Sequence, residues 1–304
     1  MILRAFCIFA VALGSVTALA SFGKESPMET RPLCIGHVII DPPAAFHERE
    51  VVEPAAFNLF TLTPLQNTTE AAFHRHAKDR IDALATASTK ENGLETRIPG
   101  GVLLDLPFPQ DDLRQGGTFY AFLRKGAASL EAEATYSPQF VEAVRAALHE
   151  LADGLEPIAG TPPKDAVFCT QTYAFTQQNR PTLGSAETRY FETDEGIILS
   201  VSSSRGFLQD DQQYPRNLVH DRNRQVGATR GKELRSPIGE GVRDGAMVLF
   251  DPNKTIFAYE GVAGGETGLT LKVRMSSPYA PDATFVTLWE SVLSSIRHLP
   301  ALVR

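Results

Sequence analysis

The side chains that could do chemistry in this chain are few and poorly placed for it. His74-Arg75-His76 offers two imidazoles, but the apolar residues around them repeat at helical spacing. On a helix, positions two apart point about 200° away from each other, so the pair does not converge on one metal ion. Neither H-E-x-x-H nor C-x-x-C spacing occurs. Ser200-Val201-Ser202-Ser203-Ser204 lacks the flanking glycines of a G-x-S-x-G nucleophile elbow and reads as a solvated strand end. Ser204, His220 and Asp221 have the residue types of a triad, yet adjacent His220 and Asp221 diverge. The carboxylate pairs Asp111-Asp112 and Asp210-Asp211 lie in polar, loop-like stretches, where they suit attraction to a basic partner better than proton transfer. Gly239-Glu240-Gly241 and Gly264-Gly265-Glu266 read as turns and not as phosphate loops. The expectation is a protein that binds without turnover and needs no metal or cofactor.

Cysteine use points to a compartment. Arg4, an apolar stretch at residues 5–13 and Ala18-Leu19-Ala20 have the order of a signal peptide, 1–20, cleaved before Ser21. The apolar run is too short for a spanning helix, which needs about 20 residues. Removal of the leader takes away Cys7 and leaves Cys34 and Cys169, a candidate disulfide in an oxidising compartment. Two separately buried thiols are the alternative, because free cysteine is among the most buried residue types. The full chain of 304 residues carries a net charge of −7, and losing Arg4 makes it one unit more negative. That sign argues against nucleic acid and anionic membranes as partners.

The elements that position these residues read as two similar halves. Thr118-Phe119-Tyr120-Ala121-Phe122 returns as Thr255-Ile256-Phe257-Ala258-Tyr259. Phe140-Val141 with Leu148 and Leu151 returns as Phe285-Val286 with Leu293 and Ile296. Gly101-Val102-Leu103-Leu104 has a counterpart in Gly245-Ala246-Met247-Val248, and Cys34 opens one half as Cys169 opens the other. The first half reads as strands at 34–40, 57–62, 101–108, 118–123 and 129–136. One helix carries Phe73, Ala77, Ile81 and Leu84 on a stripe, and another starts at Ser137-Pro138. The second half reads as strands at 166–175, 196–202, 246–250, 255–259 and 269–275, a weakly helical polar segment at 214–226, and a helix at 285–296. Residues 154–164, rich in Gly and Pro, form the linker. The fold class is α+β: two duplicated lobes, 21–160 and 161–304, each an antiparallel sheet with helices on one face.

Three segments are similar to one family. RPLCIGHVIIDPP at 31–43, the Cys-led strand near 169, and W-E-x-x-L-x-x-I-R-x-x-P at 289–300 resemble the cognate immunity proteins of class-four lipase effectors of type VI secretion. The likeness spans nearly the whole mature chain. It departs at His37, where the family more usually carries Arg, and at Thr170-Gln171, where a glycine-containing turn is usual. The resemblance implies a periplasmic inhibitor, monomeric when free and not inserted in the membrane. It implies a cognate phospholipase as partner, gripped between two lobes so that the lid over its active site stays shut.

Loops with exposed aromatics beside acids suit such an interface: one around Asp111-Asp112, the other running from Phe207 through Asp210-Asp211 to Tyr214. A second reading is a secreted two-lobed module that binds a small ligand or an envelope component in a groove between the lobes.

Overall fold

The computed structural model describes residues 32–49, 54–57, 59–65, 69–87, 94–108, 116–176, 184–206, 220–236, 255–263 and 268–299. The leader, both acidic loops and the segment Gly245-Ala246-Met247-Val248 lie outside them.

The chain opens with a hairpin, β1 (Leu33–Ile35) and β2 (Val38–Ile40), where the sequence suggested one strand. Gly36 turns the chain at φ +60, and a Cβ there would press on the Ser203 carbonyl 3.1 Å away, so glycine is required at the turn. Then follow β3 (His47–Glu48), β4 (Ala55–Phe57), β5 (Phe60–Pro64), α1 (Glu70–Ala87), β6 (Leu94–Ile98), β7 (Gly101–Pro107), β8 (Gly117–Lys125) and β9 (Ala128–Tyr136). A 3₁₀ turn at Pro138–Phe140 leads into α2 (Val141–Gly154), and β10 (Leu155–Pro157) closes this half. The second half runs β11 (Ala166–Cys169), β12 (Tyr173–Thr176), β13 (Ser185–Glu192), β14 (Ile198–Arg205), β15 (His220–Val226), β16 (Thr229–Ser236), β17 (Thr255–Ala263), β18 (Leu269–Ser277), α3 (Ala283–Ser295) and β19 (Arg297–His298). None of the described helices is long and apolar enough to cross a membrane.

Most strands join one antiparallel sheet in the order β15-β16-β17-β18-β14-β13-β4-β5-β9-β8-β7-β6, with β3 added beside β13. The two halves meet at β4 and β13 through the rungs Phe57–Ser185 and Ala56–Ala186. Alternation along β8 assigns the faces. Phe119, Ala121 and Leu123 share a core with Val144, Leu148 and Leu151 of α2. Phe122, on the opposite face, packs with Phe73 and Ala77 of α1. The helices of the first half therefore lie on both faces, which corrects the expectation of one. α1 begins as a capped helix, with Thr69 Oγ1 accepting from the Ala72 N–H at 3.2 Å. Ser137 does not cap with its side chain. Its carbonyl accepts from Phe140 N, so the chain enters α2 through the 3₁₀ turn.

Each opening hairpin leaves its own half. Ile35, Val38 and Ile40 of β1 and β2 are buried among Phe257, Tyr259, Trp289 and Leu293 of the second half. Val167, Phe168, Tyr173 and Phe175 of β11 and β12 are buried among Phe57, Phe119 and Leu148 of the first. The closing strands follow the exchange, since β19 pairs with β2 and β10 with β12. Full burial of such side chains stabilises by about 1.5–3 kcal/mol each, so the exchanged hairpins are a substantial part of both cores.

Candidate functional site

The two exchanged hairpins cross at a sealed polar junction built on the Gly36 turn and on β13. Gly36 and Cys169 exchange two backbone hydrogen bonds of 2.8 Å, and the Cα atoms of Cys34 and Cys169 lie 5.7 Å apart. That spacing is within the range of a disulfide.

His37 is completely buried. Its Nδ1 lies 2.7 Å from the Val167 carbonyl and its Nε2 lies 2.7 Å from Ser185 Oγ. A carbonyl only accepts, so Nδ1 carries the proton and the Ser185 hydroxyl donates to Nε2. Burial lowers the His37 pKa to about 4, against the hydrogen bond to Val167, so the ring is neutral at pH 7. Its backbone N–H donates to Ser203 Oγ at 3.1 Å.

Beside it, Glu187 Oε2 accepts from the Gly36 N–H and Oε1 accepts from Arg189 Nε, both at 2.7 Å. Arg189 reaches on to Glu48 at 3.1 Å. Burial raises the Glu187 pKa, and the Arg189 charge and the Gly36 N–H hold that rise to about 7.

The Ser185–His37 pair has the contact of a nucleophile and its base, but both residues are fully buried. The third group is a backbone carbonyl, which cannot steady an imidazolium as a carboxylate would. The gap next to the cluster, lined by Leu33, Cys34, Ile35, Glu48, Gln171, Arg189 and Phe191, is too small to admit a water molecule. The junction holds the two hairpins in place and offers no route to a substrate.

A second polar cluster lies on β15, β16 and α3. Glu233, fully buried, accepts from Arg222 and Arg224 at 2.8 Å each, from Arg235 at 2.7 Å and from Trp289 Nε1 at 3.0 Å. Burial alone would raise its pKa. The four donors outweigh burial and hold it at about 2. Glu290 engages the same three arginines at 2.7–3.0 Å. Arg235 also stacks over the Phe257 ring, 4.7 Å from its centre.

The residues singled out in the sequence fare unevenly. Asp111, Asp112, Phe207, Asp210, Asp211 and Tyr214 lie outside the described residues. His74 lies 3.8 Å from Glu70, and His76 lies 3.7 Å from Glu131, so the two histidines have separate neighbours. Among the described residues, no group of three or more His, Cys, Asp or Glu side chains converges. The SVSSS run does close a strand, which ends at Arg205, but it is not solvated. It lies in β14 between β13 and β18, and Ser203 is buried at the junction. The polar stretch expected as weakly helical is the strand β15 over its described part. Glu187 and Glu233 gave no sequence signal of their own, because an isolated Glu in a polar segment looks solvated.

Fold and junction together define an α+β protein with one long antiparallel sheet and its opening hairpins exchanged between halves. No protein-family model matches the chain, and no curated protein matches it. Solved structures do. The apo structure of TplEi, an immunity protein of the type VI secretion system of Pseudomonas aeruginosa, is similar with a TM-score of 0.66 at 14% identity. The alignment covers 89% of this chain and 97% of that one. A chain of the Tle4–Tli4 complex is similar with a TM-score of 0.67 at 14% identity, covering 89% of this chain and 98% of that chain. TplEi complexed with an "L" peptide gives a TM-score of 0.64 at 14% identity, covering 90% of this chain and all of that one.

Proposed function

We propose that this chain is an immunity protein that binds and inhibits a lipase effector of a type VI secretion system, protecting the cell that makes it. The observation that carries the reading is fold likeness along 89–90% of the chain to an immunity protein of that system, solved alone and with a peptide. The opening RPLCIGHVIIDPP and closing W-E-x-x-L-x-x-I-R-x-x-P segments support it independently. Both lie in the exchanged-hairpin architecture, in β1–β2 and in α3–β19. The chain acts by holding its partner, not by turnover, and the sealed Ser185–His37 pair is consistent with that.

The reading extends to compartment and architecture. The leader at 1–20 sends the chain to the periplasm, where Cys34 and Cys169 bond across the two halves. The lobes, 21–160 and 161–304, descend from one duplicated unit. Support comes from the strand order, in which β4-β5-β9-β8-β7-β6 on one side mirrors β13-β14-β18-β17-β16-β15 on the other. α2 then corresponds to α3, β8 to β17, and the hairpin β1–β2 to β11–β12. The acidic loops at Asp111-Asp112 and from Phe207 to Tyr214 contribute to the grip.

The test is co-purification of residues 21–304 with the product of any lipase-like gene found beside its own, followed by a phospholipase assay. The expected outcome is a one-to-one complex without lipase activity. A correctly paired lipase that neither binds at micromolar concentration nor loses activity would overturn the reading.

A further inference from the structure

We infer that β6 is a docking edge for a second copy of this chain, which adds its own β6 in antiparallel register and joins the two sheets into one. Among the described residues β6 (Leu94–Ile98) ends the sheet and pairs with β7 alone. Its first four residues are exposed. Leu94 lies on the same face as Ile98 and Leu103, which are in the core under α2, yet it keeps 62% of its surface in solvent. The edge therefore shows a row of backbone N–H and C=O groups beside an uncovered apolar side chain, a ready template for another strand.

The sequence of β6, Leu-Glu-Thr-Arg-Ile, supplies both sides of the new ladder. Successive residues turn their backbone groups to alternate sides, so two copies of one edge meet only with like-facing positions opposed. Three such registers keep three or more rungs within β6, centred on residues 95, 96 and 97. Centred on Thr96, Glu95 of each copy faces Arg97 of the other, Leu94 faces Ile98, and Thr96 faces itself across the two-fold axis. Every charge is then paired and Leu94 gains an apolar neighbour. Centred on residue 95 or 97, two like charges stand directly opposite each other, which is unfavourable. Glu95 and Arg97 are available for this, since neither has an ion-pair partner among the described residues. Lys78 of α1 feels the charge of Glu95 but is bound to Asp82 at 2.7 Å.

The other end of the sheet is guarded against such an addition. β15 turns Arg222 and Arg224 onto the α3 face, where Glu233 and Glu290 hold them, and inward charges are a common defence of an edge strand. Two-fold pairing at β6 alone gives a closed dimer and no filament. One short strand from each copy makes an interface below about 1,200 Å², the size of weak and transient contacts. The copies therefore separate in dilute solution, in keeping with the free monomer that the family resemblance implies, and pair as concentration rises. A second copy fits better than a strand of another protein, because one sequence already supplies both sides of every rung.

The experiment is sedimentation velocity on the mature chain from about 1 μM to about 1 mM. The variants are Glu95→Arg and Arg97→Glu, each alone and then mixed one to one. Wild type should pass from monomer to dimer over this range. Each single variant should dimerise at least about tenfold more weakly, because its two copies set like charges opposite each other. The mixture restores both charge pairs and should dimerise as wild type does. The melting temperature should be unchanged in both variants, since the two side chains are exposed. A wild type that stays monomeric to the top of the range overturns the inference. So does a dimer indifferent to both substitutions, or a loss in the single variants that mixing does not repair. Loss of lipase binding in the single variants, with wild type monomeric throughout, would make β6 the edge for a strand of that protein and also overturns it. The sedimentation itself needs no lipase, so it stands whatever becomes of the inhibitor reading.

Discussion

Glu187 and Glu233 occupy the same kind of place and behave in opposite ways. Each projects from a strand of the one sheet into a core, with side-chain exposures of 1% and 0%. Glu233 is met by three guanidinium groups and an indole N–H, and stays charged down to a pKa of about 2. Glu187 is met by one guanidinium and one backbone N–H, which do not offset its burial, and its pKa rises to about 7. Neither side chain touches solvent, but Glu187 is the more deeply enclosed, so deeper burial and fewer donors together set it apart from Glu233. The C-terminal cluster is a saturated ionic knot, while the hairpin junction is a thinly supported one that carries a proton over part of the physiological range.

The largest effect should come from the donors left behind. Glu233→Gln takes from three arginines the buried carboxylate they share and leaves them only Glu290, and urea denaturation at pH 7 should show a loss of about 3 kcal/mol. Glu187→Gln removes a charge whose burial is already unfavourable at that pH and keeps an acceptor for Gly36, so it should stay within about 1 kcal/mol of wild type. Equal losses would erase the comparison.

Next comes a compensation visible in pH. The raised pKa of Glu187 gives a contribution fully present below its ordinary 4.5 and lost as pH climbs through about 7. The lowered pKa of His37 gives one present above its ordinary 6.5 and lost as pH falls through about 4. Between pH 4.5 and 6.5 the two slopes oppose each other, so the junction is nearly indifferent to pH there. His37→Gln should unmask Glu187: its urea midpoint should rise on going from pH 7 to pH 4.5, by about 3 kcal/mol in stability. A flat profile in this variant would show that Glu187 is ionised throughout. Glu233 predicts the other sign. Its contribution is present above pH 4.5 and disappears as pH falls toward 2, so wild type should lose stability in that window and Glu233→Gln should lose less of it. The smallest effect is Ser203→Ala, which removes the acceptor of the His37 N–H at a cost of about 1 kcal/mol by thermal or urea denaturation.

These two carboxylates also mark where sequence reading fails. β8 and β17 were legible because Phe119, Ala121, Phe257 and Tyr259 put apolar side chains on every second position. α2 and α3 were legible from apolar stripes at helical spacing. β13 was not, because its inward positions are Ser185, Glu187, Arg189 and Phe191, so polar residues stand where the period-two pattern looks for apolar ones. β15 and β16 were missed for the same reason, since Arg224, Glu233 and Arg235 satisfy one another within the fold. Both hairpins were taken for single strands, because a continuous apolar run hides a tight turn. Nothing local announces the exchange of hairpins, since the residues that receive β1–β2 are far along the chain. The Cys34–Cys169 spacing hinted at it only as a tie between halves.

The exchange has a consequence for the order in which the molecule can be completed. β1–β2 is made first, but its partner Glu187 comes 151 residues later and Ser203 comes 166 residues later. The strand that flanks it, β19, is the last described element of all. The earliest hairpin must therefore wait without the core that buries it until almost the whole chain is present. Neither half, cut at the linker, would keep the hairpin its core requires. Contacts spanning such distances make folding slow, and they make the protein a single cooperative unit in spite of its two-part outline. A C-terminal truncation should therefore be felt at Cys34 as directly as at Trp289.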